Sequence, residues 1–529
     1  MKKFIIWACL SLLSVNLLGQ HDPGRNAVRL LATQKTDQAI KLVAKRPNKR
    51  NSPITDAERS FVLAMAACQQ GDPAKAFTYA KQAVEKGLPL QRLQSGPRDI
   101  LKALYTYDEF QQWIKTRQKQ LLQGPLLGSV SDSLASFWVR TAAEADVKII
   151  VQQVGNDKTE KGIIGKGKSS QNADYTAVIK VSGLNENTDY TYKVIVNNEE
   201  SGPFKFRTFP KEDTAFRFKV AFGGGAGFTP QYERMWTTIG KNQPSALLLL
   251  GDNIYSDDPK HSMTQRYCYY RRQSQPEWSQ LVSSTSVYSI YDDHDFGTND
   301  CAHGPEIETP SWKRSVWETF SQNWNNPVYG GGVKQPGCWF SFYIGEVHFI
   351  MLDGRYYRDP LGGSMLGKVQ KEWLLNELKS SKGKFKVVAS PVPWSPGVKA
   401  KSTDTWDGFS EEREEIFSFI EQQRIDGVVL MAADRHRSDL RKIERPKGYD
   451  LYEVMSSRLT NVHTHPLVEN AKGSQFIMGY NEACSFGLME FDTTLSDPQV
   501  KYNIVNIDNE VVGSRTLQLS QLTFKPLDK

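Results

Sequence analysis

From residue 216 onward, seven apolar runs each end in polar or charged residues. In order they are FRFKVAFGG, SALLLLGDN, SVYSIYDDHD, EVHFIMLDGR, KFKVVASPVP, IDGVVLMAADRH and YDLYEVMSS. Short runs of this kind are typical of strands buried on both faces, and stretches between them such as VQKEWLLNELKSS have helical spacing. The pattern predicts an α/β domain over residues 215–525, with ligand groups just past the carboxyl ends of the strands.

The segment before this domain alternates apolar and polar residues instead. The alternating stretches are SLASFWVRT, DVKIIVQQV, YTAVIKVSGL, TDYTYKVIVN and GPFKFRTFP. A two-residue period is that of a strand with one buried face, and short strands at this spacing favour a small antiparallel β-sandwich. We expect a sandwich of immunoglobulin or fibronectin type III kind over residues 124–210.

Residues 25–122 have the spacing of helices. Small residues such as Ala67, Ala76 and Ala83 recur on one face, and Gly71 to Pro73 mark a break between two helices. This pair is similar to one tetratricopeptide repeat. A single repeat cannot bury its face alone, so we expect the segment to pack on the rest of the protein. Binding of a protein partner is the alternative.

Residues 1–19 are predicted to form a signal peptide. Met1 to Lys3 are basic, Phe4 to Leu18 are largely apolar, and Gly19 is a small residue before a polar segment. The apolar stretch is shorter than the roughly 20 residues that a spanning helix needs, and no later stretch of the sequence is long and apolar enough. We therefore expect a periplasmic or secreted protein, with an uncleaved N-terminal anchor as the alternative.

The composition is that of a folded protein of more than one domain. Hydrophobic residues make up 39% and charged residues 24% of the 529 residues, and 12 Trp, 21 Tyr and 25 Phe exclude a disordered chain. The net charge of +7 comes from 66 basic and 59 acidic residues without a long basic block, which gives weak evidence for an anionic substrate and almost none for nucleic-acid binding. Five cysteines follow the signal peptide, so at least one thiol is unpaired.

Four of the apolar runs end in clusters that contain aspartate, namely GDNIYSDD, YDDHD, LDGR and AADRH. Asp252 and Tyr255 lie three residues apart, so both could reach one ion, and a tyrosine ligand favours a trivalent ion such as iron. Asp293 follows the next strand. Asp434 and His436 follow another, and these alternating residues point to one site if that strand continues.

Strand-end aspartates are also common as helix caps and turn residues. Four acidic clusters at corresponding strand ends would repel one another if they were unpaired, and a multivalent cation is the natural compensation. Hard cations take oxygen ligands, and histidine is added for transition metals. The clusters therefore predict a multi-metal centre built from carboxylates and histidine.

Five segments in this order resemble the PhoD-like alkaline phosphatase family within the calcineurin-like metallophosphoesterases. They are LLLLGDNIYSDD, YSIYDDHDF, FIMLDGRYYRD, WDGFSEER and VLMAADRHRSD, and the resemblance covers about residues 216–506. It implies a four-layer α/β/β/α sandwich with the metals at one end. The predicted fold class is therefore α/β (α+β), with the small β-sandwich and the helical segment in front of the metallophosphoesterase domain.

The resemblance also implies a role for each site residue. The implied metal ligands are Asp252, as the bridging carboxylate, Tyr255, Asp293, Asp434 and His436. His294 would contact the phosphate or the leaving oxygen. Arg355 would clamp the phosphate, because a planar guanidinium can pair with two phosphoryl oxygens; a structural ion pair with Asp353 or Asp359 is the alternative. Iron and calcium are the implied ions, with zinc or manganese as alternatives.

One position departs from the family. The family commonly has a metal-binding cysteine in an FGSC-like segment after its first strand, whereas this chain has FGGG at residues 222–225. Gly225 has no ligating side chain, so we expect a changed but occupied site; a different first metal or a degenerate site are the alternatives. For His463 and His465 we expect a solvated loop or a place at the substrate rim, with metal binding as the alternative.

These observations predict an exported enzyme that hydrolyses phosphate mono- or diesters with a metal-activated water. The expected partner is a phosphate-ester substrate. We expect the protein to have no nucleic-acid-binding module, and no membrane span once the signal peptide is removed. The alternative is a scaffold that kept the fold, lost catalysis and binds a protein through its helical N-terminus. The sequence shows no Ser/His/Asp or Cys/His arrangement for a covalent nucleophile.

Overall fold

The computed structural model describes residues 22–44, 54–155, 162–400 and 402–525. The predicted signal peptide, residues 1–19, lies outside this part of the chain. Within the described residues, no helix combines the length and the apolar character that crossing a bilayer requires. N-terminal helices, a small β-sandwich and a large α/β unit follow one another along the chain.

The described part of the N-terminal segment is helical. Its helices are α1 (Pro23–Ala32), α2 (Thr36–Ala44), α3 (Asp56–Gln69), α4 (Pro73–Glu85), α5 (Leu90–Ser95), α6 (Lys102–Tyr105) and α7 (Asp108–Lys115). The side chains of Asp22, Thr55 and Asp72 cap α1, α3 and α4, because each accepts the backbone N–H three residues ahead. The break between α3 and α4 lies where the sequence predicts it. The assignment as a tetratricopeptide repeat stays a prediction.

Two small antiparallel sheets follow the helices. Their strands are β1 (Leu121–Gly128), β2 (Leu134–Thr141), β3 (Asp146–Gln153), β4 (Ile163–Lys168), β5 (Thr176–Ser182), β6 (Asp189–Val196) and β7 (Glu199–Arg207). The sheet orders are β1-β2-β5 and β4-β3-β6-β7. Phe137 packs on Tyr192 and Phe206 with ring centroids 4.5 and 5.6 Å apart, which joins the sheets. This confirms the predicted antiparallel β-sandwich.

The α/β unit contains the remaining helices and strands. Its helices are α8 (Met235–Lys241), α9 (Ser262–Gln273), α10 (Pro276–Val282), α11 (Asp293–Phe296), α12 (Lys313–Asn323), α13 (Gly367–Ser380) and α14 (Ser410–Gln422). Its strands are β8 (Arg217–Gly223), β9 (Ala246–Leu250), β10 (Ser286–Ile290), β11 (Phe340–Ile344), β12 (Val347–Met351), β13 (Phe385–Ala389), β14 (Val428–Ala432), β15 (Ser438–Ile443), β16 (Leu451–Ser456), β17 (Gln475–Tyr480), β18 (Ser485–Asp492), β19 (Gln499–Asn506) and β20 (Val511–Gln518).

These strands form two mixed sheets that pack face to face. The orders are β10-β9-β8-β18-β19-β20 and β11-β12-β13-β14-β16-β15-β17. Strands β8, β9 and β10 pair in parallel in one sheet, and strands β12, β13, β14 and β16 pair in parallel in the other. Within each set the carboxyl ends of the strands therefore lie together. Phe218 of one sheet lies 6.5 Å from Phe349 of the other, and Phe491 lies 5.8 Å from Phe385. The α/β class and the stacked sheets agree with the predicted four-layer sandwich.

The N-terminal helices and the sandwich pack against this unit through buried polar contacts. Asp22 forms an ion pair with Arg271 of α9. Arg92 of α5 donates to the backbone oxygen of Tyr267, also in α9, at 3.1 Å. Trp138 of the sandwich donates its indole N–H to the backbone oxygen of Gln322 at 2.8 Å. The helical segment therefore has the packing role that its sequence favours.

Candidate metal centre

The turn after β9 carries Asp252 and Tyr255. Their φ angles are 56° and 51°, in the left-handed region that residues other than glycine rarely adopt. The carboxylate of Asp295 holds this turn by accepting the backbone N–H groups of Asn253 and Ile254 at 2.9 and 3.0 Å. Backbone strain that buried hydrogen bonds hold in place is typical of functional sites. The local sequence is therefore arranged to present these two side chains.

Asp252 lies in the middle of an acidic pocket. Its side chain is buried, and within the described residues neither carboxylate oxygen has a hydrogen-bond partner. Asp252 belongs to two groups of ligand atoms whose members lie within 4.8 Å of one another, and its Oδ2 is 3.9 Å from an imidazole nitrogen. The residues that surround it are Asp292, Asp293, His294, Asp434 and His436.

His436, Tyr255 and Asn461 meet on one side of this pocket. Tyr255 Oη lies 3.0 Å from His436 Nε2 and accepts a hydrogen bond from Asn461 Nδ2 at 2.9 Å. β14 ends at Ala432, and Asp434 and His436 have φ angles of 65° and 46°. The argument that these two alternate along a continuing strand is therefore wrong. Both reach the centre through a left-handed turn instead.

Arg355 is buried among carboxylates. Its Nε pairs with Asp292, its Nη1 lies 2.8 Å from Asp404, and its Nη2 lies 3.7 Å from Asp293. Nη2 has no hydrogen-bond partner within the described residues. The alternative expected from the sequence was an ion pair with Asp353 or Asp359. Within the described residues the contact of Arg355 with Asp353 is through its backbone N–H, which donates to that carboxylate at 2.8 Å. Two of the three guanidinium nitrogens therefore hold carboxylates in place.

His294 is oriented by a carboxylate outside the metal-ligand set, Asp257. The Nδ1–H of His294 donates to Asp257 at 2.5 Å, because an ionised carboxylate can only accept. Arg25 of α1 pairs with the other oxygen of Asp257, and it also donates to the backbone oxygen of Tyr255 at 2.8 Å. Arg29, one turn later, donates to the backbone oxygen of Asp257 at 2.7 Å. The first helix therefore contacts the turn that carries the candidate ligands.

Electrostatics make this centre costly without a cation. Burial first, and then the charges of Asp293 and Asp292, raise the pKa of Asp252 well above its usual value, although the charge of His294 opposes them. Burial lowers the pKa of His294, but Asp293 and the carboxylates beside it raise that pKa well above the usual value overall. Burial and nearby cations hold the pKa of His436 far below its usual value, so its imidazole is neutral, as a metal ligand requires.

Several unpartnered buried polar atoms lie in this pocket. Within the described residues they include both carboxylate oxygens of Asp252, one oxygen each of Asp292 and Asp293, and Nδ1 of His436. Leaving a buried polar group without a partner costs on the order of 1–3 kcal/mol, and more when it is charged. Coordination to metal ions would satisfy these atoms, so the residues present fit a metal centre.

Gly225 is enclosed by the loop that follows β16. Its φ is 69°, and a Cβ atom there would lie 2.8 Å from the backbone nitrogen of Arg458 and 3.1 Å from Ser457 Oγ. The backbone N–H of Thr460 donates to the Gly225 carbonyl at 3.2 Å. The loop over residues 457–461 therefore fills the space that a side chain at position 225 would take. Whether a changed metal set occupies the site stays a prediction.

His463 and His465 lie beside His436. Their ring centroids are 5.2 and 5.6 Å from that of His436, and both side chains are half-buried. Burial, followed by the charge of Arg435, lowers the pKa of His465 to about 3. Of the places expected from the sequence, the rim of the centre therefore fits these two residues better than a solvated loop does.

Three aspartates of this centre were not singled out from the sequence, namely Asp257, Asp292 and Asp404. Asp292 and Asp257 stand inside the acidic clusters YDDHD and GDNIYSDD, so the clusters signalled the region without singling them out. Asp404 stands in a loop that carries no such signal, yet it pairs with both Arg355 and Arg358. The five cysteines of the described residues are all buried and free, and none lies in a disulfide.

Two stacked mixed sheets with a carboxylate and imidazole centre at the strand ends define the metallophosphoesterase class of fold. Comparison with known proteins narrows this class. The chain belongs to the PhoD-like phosphatase family, whose model matches residues 220–496. A domain of unknown function, DUF7800, matches residues 118–214, which contain the β-sandwich.

Two curated relatives are phosphatases by name. The chain is 23% identical over 339 residues to alkaline phosphatase D of Bacillus subtilis, covering 54% of this chain. It is 23% identical over 275 residues to purple acid phosphatase 23 of Arabidopsis thaliana, covering 47% of this chain. The matched parts span 58% and 54% of the lengths of these relatives.

Two solved structures share the fold. The structure of PhoD superposes with a TM-score of 0.64 at 17% identity, covering 76% of this chain and 90% of that one. Purple acid phosphatase PPD1 from yellow lupin superposes with a TM-score of 0.57 at 12% identity, covering 75% of each chain. Both confirm a metallophosphoesterase-type fold.

Proposed function

We propose that this chain is an exported metal-dependent phosphoesterase that hydrolyses phosphate mono- or diesters. One observation carries the proposal: both carboxylate oxygens of the buried Asp252 lack partners within the described residues and lie among acidic and imidazole side chains from other strand ends. The family membership supports the same class of reaction. We assign the helical segment to residues 25–122, the sandwich to 124–210 and the catalytic domain to 215–525, after a signal peptide at 1–19.

Two kinds of ion suit the groups that surround Asp252. Tyr255, His436 and Asp252 offer a phenol, an imidazole and a carboxylate, which suit an iron-type ion. Asp293 and Asp434 extend the site with carboxylates, which suit calcium. Bound cations would neutralise the carboxylates, bind phosphoryl oxygens and acidify a water molecule. Zinc or manganese are the alternatives.

We propose that the protein orients His294 as a proton donor. Asp257 fixes the Nδ1–H of His294, which leaves Nε2 as the nitrogen available to the leaving oxygen. Arg355 has one nitrogen left to donate to a phosphoryl oxygen, while its other two hold Asp292 and Asp404. We therefore propose that Arg355 donates to phosphate through one nitrogen, and not through two as expected from the sequence. Its other two nitrogens position carboxylates.

The scaffold alternative has less support from the contacts. A recruiting module would be expected to keep a face free for its partner, whereas α1 contacts the turn of the candidate centre through Arg25 and Arg29. Arg92 of the same segment, and Asp22, which caps α1, bind α9. These contacts support a structural role for the helices.

The test compares Asp252→Asn with the wild-type chain. We expect wild-type protein to contain bound transition metal or calcium and to cleave p-nitrophenyl phosphate or bis-p-nitrophenyl phosphate. Asp252→Asn is expected to lose metal and activity together, because the bridging carboxylate is removed. Asp189→Asn, in an exposed ion pair of the sandwich, is the control and is expected to retain both. Full turnover of Asp252→Asn with unchanged metal content would contradict the proposal.

A further inference from the structure

Three histidines form a cluster at the edge of the carboxylate pocket. His436, His463 and His465 each offer a ring nitrogen, and these nitrogens all lie within 4.8 Å of one another. The rings of His463 and His465 have centroids 4.6 Å apart and an interplanar angle of 85°. Nitrogen ligands about 2.0–2.1 Å from one ion lie roughly 3–4 Å apart, so small side-chain movements would bring the three nitrogens around a metal.

Backbone contacts build the cluster without using the rings of the loop histidines. Thr464 Oγ1, between the two histidines, donates to the backbone oxygen of His436 at 3.1 Å. The backbone N–H of His463 donates to Asn461 Oδ1 at 2.9 Å, and Asn481 Nδ2 donates to the backbone oxygen of His465 at 3.0 Å. Within the described residues no hydrogen bond involves a ring nitrogen of His463 or His465. The loop therefore holds both imidazoles beside His436 and leaves their nitrogens available.

An independent observation concerns His436. Its side chain is 6% exposed, and its Nδ1 has no hydrogen-bond partner within the described residues. Its Nε2 lies 3.0 Å from Tyr255 Oη. A buried ring nitrogen without a partner is costly, and Nδ1 can bind a metal ion once it carries no proton.

We propose that His463 and His465, together with His436, bind a transition-metal ion at the edge of the carboxylate centre. Imidazole ligands suit zinc, iron, copper, nickel and cobalt, whereas calcium and magnesium prefer oxygen. The inference rests on the proposed function only through His436, which belongs to both groups. To bind an ion at each ring nitrogen, this neutral imidazole gives up its N–H proton to solvent and bridges the two ions as an imidazolate. The proposed site adds His463 and His465, two ligands from one loop. The carboxylate centre does not need either of them.

The test uses Co²⁺ as the probe with the full chain. Protein stripped with a chelator is titrated with Co²⁺, and the bound ion is counted by mass spectrometry while its visible absorption is recorded. We expect His463→Ala/His465→Ala to bind one Co²⁺ fewer per chain, or to bind it at least tenfold more weakly, and to lose the absorption of the ion at the three-histidine site. Asp293→Asn is expected to keep that absorption.

The control is His348→Gln, which removes an imidazole that contacts Ser381 and Glu377 away from the centre. Its Co²⁺ count and spectrum are expected to match the wild type. Equal Co²⁺ count, affinity and spectrum in the double variant and the wild type would overturn the site. If the double variant unfolds, His463→Gln/His465→Gln replaces it, because glutamine keeps the size and polarity of these half-buried side chains.

The outcome separates this inference from the proposed function. Loss of one Co²⁺ in the double variant, in a protein that cleaves neither nitrophenyl ester, would support the histidine site and contradict the phosphoesterase. An active wild-type protein whose Co²⁺ binding is unaffected by the double variant would support the phosphoesterase and contradict the histidine site.

Discussion

His294 is fixed by contacts on two sides of its ring. Asp257 holds Nδ1, and the ring of Tyr255 lies 4.7 Å away between centroids at a tilt of 34°. A side chain held in this way keeps one orientation, and its protonated ring can present the Nε2–H to a leaving group. The proposed role of His294 depends on this fixed geometry.

We therefore expect His294→Asn to lower kcat by about 10²- to 10⁴-fold, the range for loss of a general acid. Metal content is expected to stay at the wild-type value, because the ring binds Asp257 and is not needed as a ligand. Steady-state kinetics with p-nitrophenyl phosphate and metal analysis of the same preparation measure both. Loss of metal in this variant would instead make His294 a ligand.

Arg355 links carboxylates from two other segments of the chain, at Asp292 and Asp404. Because it is fully buried with Asp292 and Asp404, removing it would leave those carboxylates buried without their cation. We expect Arg355→Ala to lower the free energy of unfolding by about 3–5 kcal/mol, as measured by urea denaturation of the metal-loaded protein.

The matched control for Arg355 is Arg207→Ala, which breaks an exposed ion pair with Asp189. Exposed pairs contribute about 0–1 kcal/mol, so its unfolding free energy is expected to stay close to that of the wild type. An equal, small effect of both substitutions would show that Arg355 does not hold the acidic segments together.

At the scale of elements, α1 supports the turn after β9. Arg25 and Arg29 bind backbone and side-chain oxygens of residues 255–257, so a helix near the start of the chain contacts the turn of the candidate centre. Within the described residues, these arginines reach Asp257, and through it His294, and bond to the backbone of the turn. They are positioning residues.

We expect Arg25→Ala to lower kcat by roughly 10- to 100-fold while KM and metal content change little, because a small displacement of Asp257 disturbs His294. Kinetics over a range of substrate concentrations separates kcat from KM. Arg117→Ala is the control, since the side chain of this exposed arginine bonds, among the residues that the structure describes, to Trp113 and Thr116 of its own segment. Unchanged kcat in Arg25→Ala, as in Arg117→Ala, would remove α1 from the mechanism.

Individual elements show what the sequence can predict. The runs that end in Asp252, Asp293 and Asp434 have a local signal, because a buried strand needs continuous apolar residues and its polar end stands out. The strands β8, β9, β10, β12, β13, β14 and β16 were predictable for that reason. The left-handed turns at Asp252 and Asp434 were not, because their backbone is held by tertiary contacts such as those of Asp295.

Contacts between distant residues leave no local pattern. Arg25 and Asp257 are 232 residues apart in sequence, and Arg355 and Asp292 are 63 apart. Each arginine and each aspartate has many potential partners, so only the packed structure selects one. For the same reason the sequence named the wrong carboxylates as alternatives for Arg355, and it did not bring His463 and His465 to His436.

At the scale of the whole molecule, two stacked sheets bring the ends of β9, β10, β12 and β14 to one place. Sheet packing and the buried aromatic core between the sheets fix these positions. The fold therefore holds acidic groups close together against their own repulsion, and bound cations would offset that repulsion.

X-ray diffraction from a crystal of the metal-loaded protein, recorded on both sides of a metal absorption edge, tests this account most directly. The account predicts an anomalous peak about 2.0–2.2 Å from a carboxylate oxygen of Asp252, within reach of Tyr255 and His436. A map in which the metal-loaded protein shows no ion within coordination distance of Asp252 would contradict it.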